Sequence, residues 1–197
     1  FSKWTVFYQE FLSHLKKLSE VSMDKVSDKN VEFVTENFTA LIKSVQLLEM
    51  YQNAITEEAK SVVSEVLPDI HIATGINNWK GYYKAIHLMP GCWGQGKTGI
   101  TLVYRPSEDG RDEAEFYVYG WIHSDDYPEV NALKEEIRVA LSAGDFIPTA
   151  SPEDYKVSIT GKGKVLELSF WGNTRSKKDA LVLLKDMTKW MDSKIRT

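Results

Sequence analysis

Between Val31 and Val66 an apolar residue recurs at alternating steps of three and four: Val31, Val34, Phe38, Leu41, Val45, Leu48, Ile55, Ala59, Val62 and Val66. Gln52 is the only polar member of the series. A chain keeps that spacing on one side only as a helix, because a strand returns to the same face every second residue. The series therefore predicts a long helix with a continuous apolar seam. Thr56 followed by Glu57 and Glu58 has the form of a helix start, so a break near residue 55 is an alternative. Pro68 ends the pattern, since its ring removes a backbone donor and clashes with the preceding turn.

A seam of this length has to be covered. Trp4, Tyr8, Phe11, Leu15 and Leu18 mark the face of an earlier helix, and the polar stretch Ser19–Asn30 (Ser22, Asp24, Ser27, Asp28) offers caps for a new one. The Val31–Val66 seam is thus expected either to fold back on that first helix or to associate with another chain. Residues 1–67 are read as a helical hairpin or coiled-coil region, and the seam as the site of a protein partner or of self-association.

The remainder has a different texture. Tyr82–Leu88, Gly99–Tyr104, Glu115–Ile122, Tyr155–Thr160 and Val165–Trp171 are short, rich in β-branched and aromatic residues, and bounded by Gly, Pro, Asp and Ser. Gly161–Lys164 reads as a hairpin turn between the last two, and amphipathic helices are predicted over Pro128–Ala143 and Ser176–Lys194. The order is one leading strand, then β-β-α twice. That pattern predicts an α+β domain over residues 76–197, an antiparallel sheet with helices packed on it. In Glu115–Ile122 the alternation puts Tyr117, Tyr119 and Trp121 on one face and Phe116, Val118 and Ile122 on the other. The sheet is accordingly expected to be covered on both faces, by the N-terminal helices on one and the later helices on the other.

Composition closes several possibilities. With 43% hydrophobic and 12% aromatic residues the chain can bury a core, and disorder is not expected for most of it. No apolar run approaches the roughly 18 residues of a membrane span, and the expected location is intracellular. The chain opens at Phe1 without a methionine, so a native start is expected upstream. The single cysteine, Cys92, excludes an internal disulfide and a cysteine-based zinc site, and the histidines His14, His71, His87 and His123 lack metal-ligand spacing. No metal or cofactor is expected. The net charge of −4 is uneven: −3 over residues 1–67, −5 over 68–148 and +4 over 149–197. Only the last block offers the basic excess that phosphate binding favours.

Four motifs carry candidate chemistry. Gly91-Cys-Trp-Gly-Gln-Gly96-Lys97-Thr98 fits the phosphate-loop pattern residue for residue, but that chemistry needs a helix after the loop, and Gly99–Pro106 reads as a strand. Gly91, Gly96, Lys97 and Thr98 are therefore not expected to bind nucleotide. Asp154-Tyr155-Lys156 has the form of a nuclease carboxylate–lysine pair, but its partners Asp125 or Asp126 lie a whole helix away. Cys92 would need His87 or His123 as a base to act as a nucleophile, and inert packing is the plainer reading. In the last helix Lys178, Lys185, Lys189 and Arg196 share one outward side, a candidate stripe for nucleic acid, although Asp179, Asp186 and Asp192 interleave it. Tyr119 and Trp121 are candidate contact residues should their face be open. Asn37-Phe-Thr39 fits a glycosylation acceptor but sits inside a helix, and is read as chance.

The run Trp79-Lys-Gly-Tyr-Tyr83, followed by strand pairs carrying Trp93 and Trp121 and a closing helix, resembles β-rich accessory domains attached to bacterial restriction-type nucleases. The resemblance spans at most residues 76–197, carries no catalytic signature and transfers no functional residue. The expectation is a non-enzymatic interaction or assembly module. The alternatives are a nucleic-acid-associated accessory domain using the basic last helix and a nucleotide-binding enzyme using the Gly91–Thr98 loop.

Overall fold

The computed structural model describes residues 28–79, 83–106, 114–146, 149, 156–162, 165–174 and 176–196. The seam of residues 4–18 and the Asp154-Tyr155 carboxylate lie outside them. The chain divides into two units, Phe1–Gln52 and Asn53–Thr197.

The elements confirm a mixed α+β protein. Helix α1 (Asp28–Val66) is continuous, so the alternative of a break near residue 55 falls away. Thr56 is buried within it, and the helix-favouring run Glu57-Glu58-Ala59-Lys60 carries it on. Strands β1 (Ile72–Trp79), β2 (Tyr83–Pro90), β3 (Gly99–Pro106) and β4 (Ala114–His123) follow, then α2 (Val130–Ser142), β5 (Lys156–Lys162), β6 (Val165–Thr174) and α3 (Lys177–Ile195). All neighbouring strands are antiparallel, in the order β1-β2-β3-β4-β6-β5.

Two strands lead the sheet where one was expected. Ile72–Trp79 contains Gly75, Asn77 and Asn78, poor strand formers whose local preference is overridden by pairing with β2 along its full length. The boundary at residue 76 falls inside this strand.

The core lies on one face of the sheet. Ile86 and Leu88 from β2, Ile100 and Leu102 from β3, and Phe116, Val118 and Ile122 from β4 meet Ile55, Ala59 and Val63 of α1. Val130 and Ile137 of α2 and Ala180, Leu183, Leu184, Met187 and Met191 of α3 complete the layer. Burying each large side chain contributes about 1.5–3 kcal/mol. The end of α1 and the later helices therefore share one face, which corrects the expectation that they divide between the two. The opposite face carries a buried cluster of its own, Ala85, Val103, Tyr117 and Tyr119, and the first predicted helix lies outside the described residues. Helix α3 sits close over β4 because Gly120 has no side chain, and a Cβ there would meet Met191 Sδ at 2.4 Å. Its start is fixed by Ser176, whose hydroxyl accepts the Asp179 N–H.

The alternation in β4 is as the spacing predicts. Tyr117 and Tyr119 fall on the face opposite the core, where they cluster with Ala85 and Val103. Beside them lies a charged pair: half-buried Arg105 and buried Glu115, cross-strand partners on β3 and β4, approach to 3.0 Å. Arg105 also donates to the Tyr117 hydroxyl and stacks 4.7 Å from its ring centre, while the Tyr117 hydroxyl donates to Glu115 Oε2 at 2.6 Å. Burial, reinforced by the bond to Glu115, holds the Tyr117 phenol protonated well above its usual range.

Candidate interaction site

The glycine loop joins β2 to β3. Trp93, fully buried, anchors its start, and its indole N–H donates to Asp192 Oδ1 at 2.8 Å. Gly94 and Gly96 take φ values of 115° and 85°, which bend the loop back toward the turn after β4. There Asp126 Oδ1 accepts the Gln95 N–H at 2.8 Å and Oδ2 accepts the Lys97 N–H at 3.2 Å. The Lys97 ammonium is bound to Asp125, which raises its pKa chiefly through that hydrogen bond. Thr98 is buried, and its hydroxyl accepts the His123 N–H at 3.1 Å. Gly91, at the loop's other end, donates its N–H to the His71 carbonyl at 2.9 Å.

Two of the backbone donors that would face a phosphate thus already hold a carboxylate. Strand β3 begins at Gly99, one residue after Thr98. Sequence reading treated Asp125 and Asp126 only as loose metal-holding candidates. Their position straight after an apolar strand was the one signal that they mattered, and their partner in the fold is backbone N–H and Lys97.

Cys92 is partly buried, and burial is the main cause raising its thiol above the usual range. The two proposed bases are engaged elsewhere. His87 lies between Asn77 Nδ2 at 3.1 Å and Thr101 Oγ1 at 2.9 Å, and His123 Nδ1 accepts the Asp125 N–H at 3.1 Å. Among the described residues no group of three His, Cys, Asp or Glu is placed to hold a metal ion.

The basic stripe is partly spent on the protein itself. Lys185 is 2.6 Å from Glu65 and Arg196 is 2.9 Å from Asp192. Lys178 and Lys189 are exposed. The aromatic candidates are also employed internally: Tyr119 is 9% exposed, and the Trp121 indole N–H donates to the Lys97 carbonyl at 2.8 Å while its ring meets His87 edge-on at 5.2 Å.

What is left open is α1. Ile55 and Ala59 of the seam are 0% exposed, yet Val31, Val34, Phe38, Val45 and Leu48 of the same seam are 41–59% exposed. Ile42, Leu47, Met50 and Tyr51 widen the apolar surface beyond the seam. Among the described residues no helix is long and apolar enough to cross a membrane.

Fold and surface together define a mixed α+β protein with an apolar helical surface. No family model, curated protein or solved structure matches the chain.

Proposed function

We propose that the protein is a non-enzymatic interaction or assembly module whose α1 residues Val31–Leu48 receive an amphipathic partner helix. One observation carries this: five seam positions stand open on a helix whose seam residues Ile55 and Ala59 are wholly buried. The same 3-4 spacing continues through both stretches, so the open stretch is patterned for a helix and not merely sticky. Open apolar surface of this extent marks a contact surface. A helix in the groove between seam residues satisfies that pattern, whereas an extended peptide does not. The internal carboxylate in the glycine loop supports reading Gly91–Thr98 as a fixed turn rather than a nucleotide site.

Val45→Asp and Leu48→Asp test the reading together. In both, helix-dependent association, measured by light scattering on the purified protein and with helical partner peptides of matching heptad pattern, should be lost. Helical content and melting of the Asn53–Thr197 unit should stay close to wild type. Association that survives both substitutions would overturn the proposal.

A further inference from the structure

We draw no further inference here: the strongest candidate, the edge of strand β1 (Ile72–Trp79) turned away from β2, has no neighbouring strand among the described residues, and nothing in the structure shows what covers it.

Discussion

The carboxylate of Asp126 sits where the Gln95 and Lys97 N–H groups of the glycine loop converge, at 2.8 and 3.2 Å. A loop with the letter pattern of a phosphate cradle is thereby closed on a side chain of its own protein. The arrangement depends on Gly94, since a Cβ there would fall 2.4 Å from Asp126 Cγ at a φ of 115°. Loop and carboxylate fit only because position 94 lacks a side chain.

Gly94→Ala should accordingly destabilise the protein by about 1–3 kcal/mol, from backbone strain and from displacing Asp126. Asp126→Ala should cost about 1–2 kcal/mol, since two backbone donors lose a charged acceptor but water can reach them. Chemical denaturation measures both. Calorimetric titration of the wild type with ATP and magnesium should give no heat that depends on Lys97. Binding abolished by Lys97→Ala would show that the carboxylate yields to phosphate.

The two stretches of the α1 seam should respond oppositely to truncation. Ile55→Ala empties a wholly buried position and should cost about 2–5 kcal/mol. Leu48→Ala removes a side chain that is 59% exposed and should change the melting of the Asn53–Thr197 unit little. Comparable losses for the two substitutions would mean that Leu48 is covered in the folded chain.

His87 supplies a pH dependence. Burial lowers its pKa below the usual value of about 6.5, so in the folded state it resists protonation that the unfolded chain accepts. Between the folded pKa and about 6.5 the unfolded state binds more protons, and stability falls as pH falls through that window. Below the folded pKa the contribution levels off. Urea denaturation midpoints should decline as pH drops below about 6.5, and His87→Gln should remove that share of the slope. An unaltered slope in the variant would assign the effect to other groups.

How much of this was legible depends on which forces act locally. The faces of β4 follow from alternation alone: Phe116, Val118 and Ile122 are in the core, and Tyr117 and Tyr119 lie opposite. Ser176 and the apolar spacing Ala180, Leu184, Met187, Met191 likewise located α3. Strand β1 was missed because Gly75, Asn77 and Asn78 carry no strand signal, and its order comes from pairing with β2. The Asp126 clamp was missed for a related reason. Its partners are backbone N–H groups 29 and 31 residues away, and no side-chain pattern announces them. The seam of α1 was visible as a pattern, but periodicity does not say where along the helix the covering layer ends.

The basic side of α3 gives the last prediction. Lys185 and Arg196 each have a carboxylate within 3 Å, and Asp186 lies on the same helix, holding the Thr149 N–H at 2.6 Å. An approaching phosphate would have to displace Glu65 and Asp192, against a chain of net charge −4. At about 0.15 M salt, where the screening length is roughly 8 Å, the exposed Lys178 and Lys189 act nearly alone. Wild type should therefore show negligible binding to duplex or single-stranded nucleic acid under those conditions. Whatever binding remains at low salt should have a log–log salt slope no steeper than about −2, since each phosphate contact contributes about 0.7–0.9. Replacing Lys178 and Lys189 with glutamine should flatten that residue of binding and leave melting unchanged, both positions being exposed. A slope of about −3 or steeper, lost when all four cations are replaced, would mean that the two ion pairs open to admit phosphate, and the surface would then belong to nucleic-acid recognition.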